Sequence, residues 1–120
     1  MLTLKTFKEN INNIKDFTPY LETKHPAYLR EMARQGKCIE ELAKLNIVPV
    51  TIVLIETNQA SEYYEEWLNH PNMNVRWALA RRGLYPEKLL RDKMSDIRLQ
   101  IVQQYPRIAN NLIGQLLAKT

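Results

Sequence analysis

The sequence predicts an all-α fold of stacked helical hairpins, about nine helices in one domain, on three observations. One pattern recurs four times, as Tyr28-Leu29-x-x-Met32-Ala33, Val50-Thr51-x-x-Leu54-Ile55, Val75-Arg76-x-x-Leu79-Ala80 and Ile97-Arg98-x-x-Ile101-Val102, with first residues 22, 25 and 22 positions apart. A hydrophobic pair at i and i+4 recurring at that period marks helical hairpins stacked in a row. Glycine is scarce, 3 in 120 residues, so few positions tolerate a positive φ, which suits short helix–turn–helix links. Only 49–57 reads as a strand by propensity, and a lone strand has nothing to pair with.

The elements follow from spacing and end signals. Leu4, Phe7, Ile11 and Ile14 form one apolar stripe on a helix over 3–15, which Asp16-Phe17-Thr18-Pro19 terminates, because the residue before proline avoids the α region. A second helix runs from Pro26 to Gln35, with Pro26 at its first turn and Gly36 just past its end. Cys38–Leu45 places Ile39, Leu42 and Leu45 on one side. Pro49–Thr57 is rich in β-branched residues, but Pro49 can open a helix and the repeat register passes through it. Val50, Val53 and Leu54 are expected in the core, with Thr51 and Ile52 off it. Ser61 is expected to cap Glu62–Leu68, whose early acids suit a positive helix N-terminus. Met73–Arg82 ends at Gly83, Pro86–Arg91 follows, Ser95 caps Asp96–Gln104, and Pro106 opens a last helix with Ile108, Leu112, Ile113, Leu116 and Leu117. The repeats are thus about 1–36, 37–58, 61–83 and 86–104, with 106–120 as a C-terminal cap and no linker between them.

Hydrophobic content of 45% and charge of 25% are ordinary for a globular domain. The one cysteine, Cys38, excludes an internal disulfide and fits a reducing compartment. No segment approaches the ~18 apolar residues that span a bilayer, and charges interrupt the N-terminal stretch where a signal peptide needs an apolar run. The expectation is a cytoplasmic protein with no membrane partner. Charge is uneven: residues 1–72 carry 8 Lys/Arg against 10 Asp/Glu, and residues 73–107 carry 8 against 3. Such a dipolar field would orient a charged partner.

Chemistry-bearing clusters are missing from the pattern. His25, His70 and Cys38 fall in different turns and helices, no His-Glu-x-x-His run exists, and each histidine precedes a proline, where it helps start a helix. There is no glycine-rich phosphate loop and no nucleophile elbow. Glu62, Glu65 and Glu66 lie near Tyr63, Tyr64 and Trp67, but acids in a first turn are explained by the helix dipole. The expectation is no metal, no cofactor and no enzyme.

Asp92-Lys-Met-Ser-Asp-Ile97-Arg98, followed by Ile101-Val102, resembles the Asp-x-x-x-x-Val-Arg turn of HEAT-like and variant leucine-rich repeats, the armadillo-type α-solenoid family. So does Asn72-Met-Asn-Val75-Arg76-Trp-Ala-Leu79-Ala80-Arg-Arg-Gly83, with Pro86 and Leu89-Leu90 after it. The first two copies depart, with Tyr28-Leu29 and Val50-Thr51 in place of Val-Arg and Thr23 and Leu45 in place of the turn aspartate. The resemblance implies a right-handed superhelix whose concave side carries Pro26–Gln35, Pro49–Thr57, Met73–Arg82 and Ser95–Gln104. It also implies that Arg76 and Arg98 tie adjacent repeats together through turn acids such as Asp92 or Asp96.

In that register one row across the stack reads Arg30, Ile52, Trp77, Leu99 and another Arg34, Glu56, Arg81, Gln103. The candidate partner-binding residues are therefore Arg30, Arg34, Trp77, Arg81, Arg82 and Gln103. The expected function is non-enzymatic binding of a protein with an acidic surface, as an adaptor or inhibitor, by a monomer or weak homo-oligomer. The second reading is nucleic-acid binding through the basic region 76–107, with Trp77 beside Arg81 to stack and pair. HEAT-like glycosylases for alkylated DNA bases use similar residue types (here Trp77, Arg81, and Asp92 or Asp96), but the chain is far shorter and none of their extended motifs matches.

Overall fold

A computed structural model describes residues 1–107 and Asn110; the helix expected after Pro106 lies outside the described residues. Those residues are all-helical, with nine α-helices, two 3-10 turns and no strand. No helix among them is long and apolar enough to cross a membrane. The chain divides into two compact units, Met1–Tyr63 and Tyr64–Thr120.

In the first unit, α1 (Leu4–Asn10) starts where the Thr3 hydroxyl accepts the Thr6 N–H at 3.3 Å, an N-cap that satisfies one orphan donor. A 3-10 turn over Ile11–Asn13 tightens its end, so the expected 3–15 helix stops short, with Phe7 and Ile11 buried from its stripe. The next segment corrects the sequence reading. Thr18–Thr23, taken as part of a terminator and connection, is a helix, α2. Pro19 sits in its first turn, where a missing N–H costs nothing, and the Asp16 carboxylate accepts the Thr18 N–H at 3.0 Å. Thr18, through its hydroxyl and then this N–H, holds the Asp16 carboxyl below its usual range. The return is packing: α2 delivers Tyr20 to the Phe7 ring at 4.5 Å between centroids.

Helix α3 (Pro26–Arg34) is opened by His25, whose Nδ1 accepts the Ala27 N–H at 3.3 Å. It packs on α1 and on α5 (Val48–Glu56), and α4 (Ile39–Leu45) packs on both α3 and α5. Helix α5 keeps its shape despite its β-branched run because Val50, Leu54 and Ile55 are fully buried among these neighbours, and tertiary burial overrides propensity. The register differs in detail. Val53 is only half-buried, whereas Thr51, expected off the core, is completely buried.

A 3-10 turn at Ser61–Tyr63 ends the first unit and α6 (Tyr64–Trp67) begins the second, so Ser61 does not cap one continuous helix. Helix α7 (Met73–Arg81) is capped by Asn72, whose Oδ1 accepts the Asn74 N–H at 2.8 Å. Helix α8 (Pro86–Leu89) leads to α9 (Ser95–Gln104). Here the cap is Met94 rather than Ser95. Helix α7 packs against α6, α8 and α9, around Tyr64, Trp67, Val75, Leu79, Leu89, Ile97 and Ile101. Trp67 is thus part of the core.

The same joint closes α3, α5 and α7. The carbonyls of Met32, Leu54 and Leu79 accept the N–H groups of Lys37, Gln59 and Leu84 at 2.8, 2.8 and 3.1 Å. Gly36, Asn58 and Gly83 take left-handed conformations with φ of 73°, 59° and 69°. Two residues later Cys38, Ala60 and Tyr85 do the same at 55°, 59° and 48°. The hydrogen-bond pattern is the Schellman ending, which satisfies orphan carbonyls. It recurs at the 22- and 25-residue intervals of the sequence pattern. Scarce glycine therefore does not mean scarce positive φ: six non-glycine residues among those described adopt it, at ~1–2 kcal/mol of steric cost each, and four of them, Cys38, Asn58, Ala60 and Tyr85, lie in these joints.

Candidate functional site

The six candidate residues divide between the two units. In the first unit Arg30 is half-buried, and its Nε is enclosed without a hydrogen-bond partner among the described residues. Arg34 is exposed but engaged: its Nη1 lies 3.2 Å from the Glu31 carboxylate, which also accepts from Gln35 Nε2 at 3.1 Å. In the second unit Trp77 is half-buried, while Arg81, Arg82 and Gln103 are exposed. The residues that flank them on α7 (Val75, Ala78, Leu79 and Ala80) are all buried. The row partner Leu99 is 54% exposed and Val102, the last residue of the fourth copy, 37%.

The turn arginines Arg76 and Arg98 are structural. Arg76, 3% exposed, directs Nε to Asp92 Oδ2 at 2.8 Å and Nη1 to the His70 carbonyl at 2.7 Å. Arg98 sends Nη1 to the Asp92 carbonyl at 2.6 Å. The two turns are built alike at an interval of 22 residues. Each arginine donates to the carbonyl six residues upstream, and the side chain of that upstream residue accepts an N–H two residues on. His70 Nδ1 takes the Asn72 N–H at 3.0 Å, and Asp92 Oδ1 takes the Met94 N–H at 2.9 Å. The Arg76–Asp92 pair has side chains only 4% and 5% exposed. Breaking one partner of such a pair costs ~3–5 kcal/mol, because the other charge stays buried.

Beside this network the second unit opens into a cleft of about 580 Å³ that the sequence reading did not identify. Glu65, Leu68, Asn69 and His70 come to it from α6 and the following turn, Arg76 from α7, and Lys88, Leu89, Arg91, Asp92 and Lys93 from α8 and its turn. The one available signal was local: Arg91 and Lys93 bracket the turn aspartate. No pattern at helical spacing joins them to Leu68 or His70, so only the fold brings the set together. Lys88 Nζ meets Glu65 at 3.2 Å with both side chains exposed.

Cys38, half-buried at the α4 N-cap, is pushed up in pKa by burial first and then by Glu41 and Asp16. A start-of-helix position has not activated it. No group of three or more His, Cys, Asp or Glu among the described residues could hold a metal ion. Comparisons of the chain with family models, with curated proteins and with solved structures each return no match.

Proposed function

We propose that the chain is a non-enzymatic, cytoplasmic binding module, a short HEAT-like α-solenoid that engages a protein with an acidic surface through Trp77, Arg81, Arg82 and Gln103, with Arg30 and Arg34 on the earlier repeats. The solenoid reading draws support from the recurring Schellman joints and from the matching Arg76 and Arg98 turns. The observation that carries the functional reading lies on α7. The apolar residues Val75, Ala78, Leu79 and Ala80 are buried, yet the large Trp77 ring is left partly in solvent next to exposed Arg81. Tryptophan and arginine together are the residue types that dominate interface energy.

The nucleic-acid reading loses two of its cations, because Arg76 and Arg98 are committed to the Asp92 turn. Asp92 is likewise engaged by Arg76 and the Met94 N–H, which weighs against it as the catalytic aspartate of a glycosylase. The test is affinity capture from lysate with and without nuclease, using the parent, Trp77→Ala and Arg81→Glu. A partner retained after nuclease and lost with both variants supports a protein ligand. A partner lost on nuclease treatment moves the assignment to nucleic acid, and capture unchanged by both variants removes this face.

A further inference from the structure

We propose that the cleft between the α6–α7 and α8–α9 turns of the second unit binds a phosphate monoester, with the phosphate held by Arg91 and Lys93 and an apolar or planar body seated on Leu68, above Leu89. No residue of the proposed protein-binding face lines this cleft, so the inference stands apart from that reading.

Charge bookkeeping selects the ligand. Four cationic side chains line the cleft, Arg76, Lys88, Arg91 and Lys93, against two acids, Glu65 and Asp92. Arg76 and Asp92 cancel each other inside the wall at 2.8 Å. Both Asp92 oxygens are spent, Oδ2 on Arg76 and Oδ1 on the Met94 N–H, so this carboxylate neutralises nothing at the mouth. The Lys88–Glu65 pair is 60% and 70% exposed, an arrangement that solvent screens heavily. What remains is Arg91 and Lys93, exposed, with no side-chain partner among the described residues. A phosphate monoester carries about −1.5 to −2 at neutral pH, which matches this surplus of two; a single carboxylate would leave one cation unanswered. Arginine supplies a planar fork for phosphate oxygens and lysine a mobile point charge.

The rest of the cleft suits the ester's body. The half-buried Leu68 supplies the apolar surface, backed by Leu89, which is 1% exposed and packed beneath the cleft, with Asn69 able to donate from the rim. About 580 Å³ lies within the ~300–1,000 Å³ typical of small-ligand sites. The Asp92 network holds the floor and rim rigid, because one residue anchors Arg76, Arg98 and the Met94 N–H together. Preorganisation of that kind lowers the cost of binding.

The experiment is a titration of the 15N-labelled full chain with phenyl phosphate at low salt, read by amide shifts. Saturable shifts at Asn69, His70, Asp92 and Lys93 are expected, weakened at least tenfold in Arg91→Glu/Lys93→Glu and unchanged in Trp77→Ala. Phenol and benzoate are expected to bind at least tenfold more weakly. Adenosine monophosphate and a phosphotyrosine tripeptide then separate a free nucleotide from a modified protein side chain as the source, the tighter naming it. Because Arg91 and Lys93 are exposed, the double variant should keep its melting temperature; if it does not, Arg91→Ala/Lys93→Ala replaces it. Absence of saturable shifts with phenyl phosphate, equal shifts with phenol, or shifts indifferent to the charge variants would overturn the proposal.

Discussion

Asp92 ties three groups of the second unit together. Its carboxylate receives Arg76 and the Met94 N–H, and its carbonyl receives Arg98. Asp92→Asn should therefore cost ~3–5 kcal/mol by stranding the buried Arg76 charge, read as a fall in the urea midpoint, and Arg76→Lys in the parent chain should lose stability too, because an ammonium has no fork with which to reach Asp92 and the His70 carbonyl together. Thr51 makes the opposite case. It is fully buried with no hydrogen-bond partner for its Oγ1 among the described residues, so the hydroxyl is a desolvated group without return. Thr51→Val should raise stability by about 1 kcal/mol in the same denaturation assay. Leu79 and Ile101, the i+4 residues of their copies, are completely buried. Replacing either with Ala should cost ~2–5 kcal/mol.

Among elements, the joints set the limits of substitution. Gly83 has a φ of +69°, and a Cβ there would run into the Tyr105 hydroxyl, which itself donates to the Gly83 carbonyl at 3.0 Å. Gly83→Ala should thus exceed the ~1 kcal/mol of an ordinary glycine cap, since the tyrosine must also shift; calorimetry of Gly83→Ala alone and with Tyr105→Phe separates the two contributions. Cys38 opens α4 with a raised pKa. Its thiolate fraction at neutral pH falls below that of a free thiol, so alkylation by iodoacetamide should be slower in the folded chain than in urea and should keep accelerating above the ordinary thiol range. The linkage sign follows. The folded state holds this proton more tightly, so the stabilisation is complete below the ordinary thiol pKa and is lost as pH rises through it towards the raised value.

At the scale of the whole chain, charge separates along the sequence, 8 Lys/Arg against 10 Asp/Glu in residues 1–72 and 8 against 3 in residues 73–107. The buried Arg76–Asp92 pair takes one charge from each side, so the basic surplus of the later residues is undiminished. An acidic protein partner should accordingly lose association rate as salt rises while its dissociation rate changes little, whereas duplex DNA would show log K falling by ~0.9 per neutralised phosphate against log salt. Surface plasmon resonance across a salt series decides between them. In the first unit the suitable probe is Arg34→Gln rather than Arg34→Glu, because reversal would place a second carboxylate against Glu31.

Helicity, the recurring copies and most of the core were legible from sequence alone, because an i, i+4 apolar pair repeated at 22–25 residues has one economical burial, on one side of a helix. The turn role of Arg76 was legible too, through its resemblance to a known repeat turn. Other features depended on contacts between distant segments. Helix α2 is too short to show a period, and it exists because Asp16 and Pro19 start it and Phe7 receives Tyr20. Thr51 is polar in sequence but lies between packed helices, and its burial follows from the neighbours of α5. Left-handed Cys38, Ala60 and Tyr85 carry no glycine signal, since their strain is offset only within the joint. The cleft is the clearest instance: Leu68, His70, Leu89 and Lys93 lie up to 25 residues apart in the chain, and only the packing of α6, α7 and α8 makes them one surface.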